Sequence, residues 1–179
     1  MNYYKKKQII ASVTKEGKII GKTDKWIAHQ EGILHQAFSV VLKYKNYYIF
    51  QYRKHPVFDH VFDVTSSSHQ TYKGEHLEKI EDAVYKTLKR EWGLKPSDFS
   101  SKLKNKGFVI YKAIDKNSSY NEHEYCFLLE GNIKKIPNIN TDYAYGFILL
   151  TKEDIYNEEL PIRKLIAPWV KEMIHKKLI

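Results

Sequence analysis

The chain has 179 residues, 42% hydrophobic and 28% charged, with 8 Gly and 5 Pro, a globular composition that excludes disorder, collagen and a disulfide scaffold. This length suits one hydrophobic core, and two full domains would be cramped. The 30 basic against 21 acidic residues give a net charge of +9, which attracts acidic partners. Lysine makes up 27 of the 30 and no base-reading motif is present, so nucleic acid ranks last among those partners.

No apolar run approaches the roughly 20 residues that a bilayer helix needs. Lys5, Lys6 and Lys7 near the start are followed by neither an apolar segment nor a small-residue cleavage site, so a soluble, unexported, cytoplasmic protein is expected. The one cysteine, Cys126, can form neither an intramolecular disulfide nor a cysteine zinc knuckle. Any metal must therefore be held by His, Asp and Glu.

Residues 8–20 alternate weakly around Lys15-Glu16-Gly17-Lys18, which predicts a hairpin, and the polar stretch after it reads as a loop. Residues 37–42 and 47–52 are rich in β-branched and aromatic side chains and flank a short polar turn, predicting a second hairpin near the centre of a sheet. Between Arg53 and Gly74 the periodicity fades, and His55, Asp59, His60, Asp63 and the run from Thr65 to His69 crowd together; long irregular segments tend to be functional. Leu77, Ile80, Ala83, Val84 and Leu88 follow helical spacing up to a capping Gly93, predicting a helix over 77–93. Strands are predicted over 108–114, 124–130 and 146–150. An apolar stripe predicts a C-terminal helix over 165–178, with Pro168 in its first turn.

His29, His35, His69, Glu122 and Glu124 invite a metal reading. A strand puts i and i+2 on one face, so Glu122 and Glu124 can present two carboxylates to one point, and three imidazoles complete a shell suited to manganese, magnesium or zinc. Taken alone, the residues fit surface histidines and solvated acids better than a metal site, since scattered histidines have no fixed ligand spacing.

The order of the pieces carries a resemblance. Trp26-Ile27-Ala28-His29, Gly32 to Ser39, Tyr52-Arg53, Ser67-Ser68-His69, Glu91-Trp92-Gly93-Leu94, Glu122-His123-Glu124 and Ala167-Pro168-Trp169 resemble the type 1 isopentenyl-diphosphate isomerases, members of the Nudix superfamily, over about residues 10–170. The resemblance implies a single α+β domain, a Nudix-like α/β/α sandwich with a mixed β-sheet. It implies a divalent metal on His29, His35, His69, Glu122 and Glu124, and magnesium at Glu91. Lys25 and Arg53 match the diphosphate grip, Tyr111 the active-site tyrosine, and Trp169 the tryptophan facing the reacting carbon. Trp169 also lies on the apolar stripe, where a core role serves equally.

The implied reaction adds a proton to the terminal carbon of isopentenyl diphosphate and removes one from the neighbouring methylene, through a tertiary cation that a dry aromatic pocket stabilises. Several positions depart from the family. Ser67 stands at the catalytic cysteine, the Trp-Pro-Gly loop reads Phe58-Asp59-His60, the following Thr-Asn reads Asp63-Val64, and a basic helix position has become Thr87. The expected function is this isomerisation, with Ser67, Glu124, Tyr111 and Trp169 catalytic and activity impaired by the missing thiol. The rivals are a Nudix-type hydrolase of a prenyl or nucleoside diphosphate, of whose helix carboxylates only Glu91 is present, and a noncatalytic diphosphate-binding protein. Oligomeric state does not follow from the sequence.

Overall fold

Residues 35–44 are apolar on both faces where most strands alternate apolar with polar, a pattern that belongs at the centre of a covered sheet. The structure is a computed structural model that describes residues 3–179. Its elements are β1 (Ile9–Val13), β2 (Ile19–Asp24), α1 (Lys25–Glu31), β3 (His35–Tyr44), β4 (Tyr47–Arg53), β5 (Phe62–Asp63), β6 (Ser66–Ser68), β7 (Tyr72–Lys73), β8 (His76–Leu77), α2 (Ile80–Trp92), β9 (Lys104–Ile114), β10 (Asn121–Asn132), β11 (Ala144–Leu150), α3 (Lys152–Tyr156) and α4 (Pro168–His175). Turns of 3-10 helix cover Tyr3–Lys5, Pro96–Asp98 and Pro161–Leu165.

β3 is the organising strand. It runs parallel to β10 along one edge and antiparallel to β6 and then β4 along the other, which makes the sheet mixed. Ala37 and Val41 of β3 join Val109, Cys126 and Leu128 in a core closed by Trp169, Val170, Met173 and Ile174 of α4. Phe38, Val40 and Leu42 face the other way, into a core closed by Ala83, Val84, Leu88 and Trp92 of α2. Helices thus cover both faces of the sheet, the expected α/β/α sandwich. No helix among the described residues is long and apolar enough to cross a membrane.

Three expectations are corrected. The polar stretch after the first hairpin contains α1, started by the Asp24 carboxylate accepting from the backbone N–H groups of Trp26 and Ile27 and stopped by Gly32 at φ 66°. The helix predicted over 77–93 begins at Ile80, because His76–Leu77 pairs with Tyr72–Lys73 in a small hairpin and Lys79 is extended. The C-terminal helix covers only Pro168–His175, because a residue before proline is kept out of the helical region: Ala167 sits at ψ 146° and Ile166 at ψ 133°.

Candidate active site

Strand register assembles the site. Glu124 on β10 lies opposite His35 on β3 and opposite Tyr111 on β9, all three on the face covered by α4. The Tyr111 hydroxyl donates to Glu124 Oε2 at 2.6 Å, and His35 Nε2 lies 3.5 Å from Glu124 Oε1. His69, the residue after β6, brings its Nε2 to 3.0 Å from the same Oε1 and 3.1 Å from His35 Nε2. His29 enters from α1, its ring centroid 4.8 Å from that of His35 and 5.3 Å from that of His69. One ligand atom from each of His29, His35, His69 and Glu124 lies within 4.8 Å of the others, and all four residues are buried. Glu122 shares their face, with Oε2 3.5 Å from His29 Nε2, but stands outside that group of four.

Protonation favours a cation here. The Nδ1 atoms of His29 and His35 bond to the carbonyls of Lys25 at 2.8 Å and Ile33 at 2.7 Å. A carbonyl only accepts, so Nδ1–H donates and the Nε2 lone pairs point inward, as in imidazoles oriented for a metal. Burial, followed by the neighbouring imidazoles, lowers the His29 pKa to about 2. Burial likewise lowers His69 to about 4, against the pull of Glu124. Burial and then repulsion by Glu124 push Glu122 well above the ordinary carboxylate range. Burial pushes Glu124 the same way, but its contacts with the His35 and His69 rings win and hold it well below. Neutral His29 and His69 beside an ionised Glu124 fit a divalent cation of hard or borderline character.

Lys25, Arg53, Ser67, Glu91, Tyr111 and Trp169 line one enclosed cavity together with His29, His69, Glu122 and Glu124. Its volume is about 30 Å³, room for an ion and little more, and Tyr3 and Tyr4 also line it. Lys25 opens α1 with its ammonium 4.7 Å from the Trp26 ring centre, and burial lowers its pKa to about 8. Arg53 is less free than a phosphate grip suggests. Its Nη1 donates to Asp63 at 3.0 Å and its Nη2 to the Val57 carbonyl at 3.3 Å, leaving Nε buried without a partner.

Trp169 is 2% exposed in the α4 core and also lines the cavity, where its Nε1 donates to Asp63 Oδ1 at 2.7 Å. Ser67 donates to the same Asp63 oxygen at 3.0 Å. Glu91 lies apart from the four-residue cluster, its carboxylate accepting from Ser66 and from Arg90, each at 2.6 Å. The sequence pattern singles out none of Arg90, Tyr3 and Tyr4, which also line the cavity. Arg90 occupies the next turn after Thr87 and stacks over Tyr3 at 3.9 Å. Asp63 falls in the irregular segment marked as functional, but nothing in its spacing says that it is fully buried among three donors.

No protein-family model matches the chain. It is similar to isopentenyl-diphosphate Delta-isomerase 2 of Photorhabdus laumondii, with 32% identity over 96% of this chain and 90% of that protein. It is similar to human isopentenyl-diphosphate delta-isomerase 2, with 25% identity over 96% of this chain and 82% of that one. Among solved structures, DR0079 of Deinococcus radiodurans superposes with TM-score 0.67 and 12% identity, over 94% of this chain and 98% of that one. A MutT Nudix hydrolase of Burkholderia pseudomallei gives TM-score 0.57 and 12% identity, over 79% of this chain and 96% of that one. These structures agree with the chain in fold.

Proposed function

The chain belongs to the isopentenyl-diphosphate delta-isomerase family, and on that premise we propose that it interconverts isopentenyl and dimethylallyl diphosphate. The observation that carries the reading is a buried cluster of three histidines and a glutamate, of which His29, His69 and Glu124 open onto a cavity that Lys25, Arg53, Arg90 and the Trp169 indole also line. His29, His35, His69 and Glu124, with Glu122 beside them, are the residues to hold Mg2+, Mn2+ or Zn2+, and Glu91 to take a magnesium ion with the diphosphate. The bound cation supplies Lewis-acid charge that offsets the buried carboxylates.

The chain's own groups do the rest. Lys25 and the Nε edge of Arg53 hold diphosphate oxygens as point charge and guanidinium. The Trp169 ring, already 5.2 Å from the Arg53 guanidinium carbon, offers its face to the tertiary cation. Glu124 with Tyr111 moves one proton and Ser67 the other. The buried side chains around the site, Trp169, Tyr111 and Arg53 among them, keep water from the cation, which favours isomerisation over addition of hydroxide. The hydrolase reading has less support, since residues 86–90 of α2 read Lys-Thr-Leu-Lys-Arg where that chemistry needs further carboxylates.

The test is incubation of purified protein with isopentenyl diphosphate and Mg2+ or Mn2+, following double-bond position and phosphate release by NMR. Conversion to dimethylallyl diphosphate without phosphate release is expected. Phosphate release with an unmoved double bond overturns the isomerase reading in favour of the hydrolase.

A further inference from the structure

Two of the family departures touch each other. Ser67, at the cysteine position, donates its hydroxyl proton to Oδ1 of Asp63, at the threonine position, across 3.0 Å. Asp63 is fully buried and accepts two further side-chain bonds, from Trp169 Nε1 at 2.7 Å on the same oxygen and from Arg53 Nη1 at 3.0 Å on the other. Of the three donors, the indole and the guanidinium keep their protons at any working pH, so the hydroxyl is the one that can pass its proton on. Ser67 also lines the cavity, while Ser39, 2.7 Å behind it and 3.3 Å from the Cys126 thiol, fixes the hydroxyl from the other side.

We propose that Ser67 and Asp63 form a proton-relay couple that replaces the absent thiol. It rests on the isomerase reading. Ser67 Oγ takes a proton from the methylene carbon of the substrate as its own proton passes to Asp63 Oδ1. The C–H bond breaks, its electron pair becomes the new double bond and quenches the tertiary cation, an O–H bond forms at Ser67, and the former one is replaced by an O–H on Asp63. The protein gains one proton here and has given one to the terminal carbon from the Tyr111 hydroxyl held by Glu124, so atoms and charge balance; exchange with solvent as product leaves returns Asp63 to its ionised and Tyr111 to its protonated form, and the reverse reaction runs the couple backwards. Ser67 is the catalytic residue and Asp63 a positioning residue that acts through it. Burial, the largest influence on Asp63, raises its proton affinity against the opposing pull of Arg53, Trp169 and Ser67. The groups around Asp63 are Arg53 from β4, Ser67 from β6 and Trp169 from α4, with Cys126 of β10 reached through Ser39.

The metal-loaded enzyme is tested with isopentenyl diphosphate in D2O, reading double-bond position and deuterium uptake by NMR. Ser67→Ala and Asp63→Asn are each expected to lower kcat and deuterium uptake at least 100-fold with KM nearly unchanged. The double variant should be no worse than either single one, as for groups that act as a unit. Asp63→Glu should recover part of the rate and shift the pH profile, which a purely structural role would not do. Ser67→Cys with Asp63→Thr, which reverses both departures, should turn over faster than Ser67→Cys alone, because a thiol beside the carboxylate is held protonated. Ser67→Ala removes only a hydroxyl, so it keeps the test valid if Asp63→Asn folds poorly. Turnover that survives Ser67→Ala overturns the couple and leaves the isomerase reading standing. A wild-type protein that moves neither double bond nor deuterium overturns that reading, and the couple with it.

Discussion

Replacing Arg53 by Ala breaks a charge pair that is buried on both sides. Arg53 is 5% exposed and Asp63 0%, with Nη1 and Oδ2 at 3.0 Å. The substitution removes the counter-charge of the carboxylate, the bond to the Val57 carbonyl and the cation over Trp169. Breaking a buried pair from one side costs about 3–5 kcal/mol, because the remaining charge is left in a poor solvent. With a urea m-value of about 2.5 kcal/mol/M for a chain of this size, the midpoint should fall by about 1.5 M, and Tm by roughly 10 °C. Urea unfolding followed by both tryptophan fluorescence and far-UV circular dichroism reads this out. The double variant Arg53→Ala with Asp63→Asn removes both charges and should regain at least half of the loss, a non-additivity expected of contacting residues. A single variant within about 1 kcal/mol of wild type, or a double variant whose loss is the sum of the singles, would refute the argument.

Titration of metal-free protein with Mn2+ should show one site whose occupancy at 100 times Kd adds about 2.7 kcal/mol of stability, or roughly 5–10 °C in Tm, and Glu124→Gln should abolish it; an equal response in that variant removes Glu124 from the site. His55 is held neutral by burial first and then by Arg53 and Lys25, well below its ordinary pKa. The unfolded chain takes up that proton near pH 6.5 and the folded chain does not, so the stability His55 confers is present above that pH and lost as pH falls below it. His55→Asn should therefore flatten stability against pH by up to about 1.4 kcal/mol per pH unit below 6.5, and parallel urea-midpoint profiles would contradict this. Gly131→Ala should cost about 1–3 kcal/mol by overpacking, since a Cβ there meets Phe99 Cε1 at 2.8 Å and Leu42 and Leu103 Cδ2 at 2.9 Å; an unchanged midpoint would show that this core yields.

The long strands and the amphipathic helices were legible because their apolar periods are set locally. The α1 helix was hidden: its signals are a cap at each end, Asp24 and Gly32, around only seven residues with little apolar period. Among site residues, the alternation of Glu122 and Glu124 could be read from spacing, and the histidines from their order along the chain. That Glu124 faces His35 and Tyr111 depends on which strands pair and in what register, a long-range property that no local pattern encodes. Arg53 illustrates the same limit, because its side chain reads as a phosphate grip until Asp63 is seen to occupy it. The burial of Asp63 and the half-buried stack of Arg90 on Tyr3 are hidden for a shared reason: a charge in a sequence carries no mark of how far it is buried.

The two-sided nature of β3 has a consequence for how this protein tolerates length changes. His35, Ser39 and the apolar residues between and beyond them are assigned to opposite sides of the sheet by odd and even position alone. One inserted residue between His35 and Ser39 inverts the two parts of the strand against each other: either His35 turns away from Glu124, or Val40 and Leu42 enter the wrong core. A side-chain exchange such as that at Ser67 alters the chemistry and spares the fold, whereas a frame error in this strand sacrifices the site or the core. The segment is therefore free to vary in composition and rigid in count, and insertions belong in the polar connection at 115–120, beyond the paired span of β9 and β10.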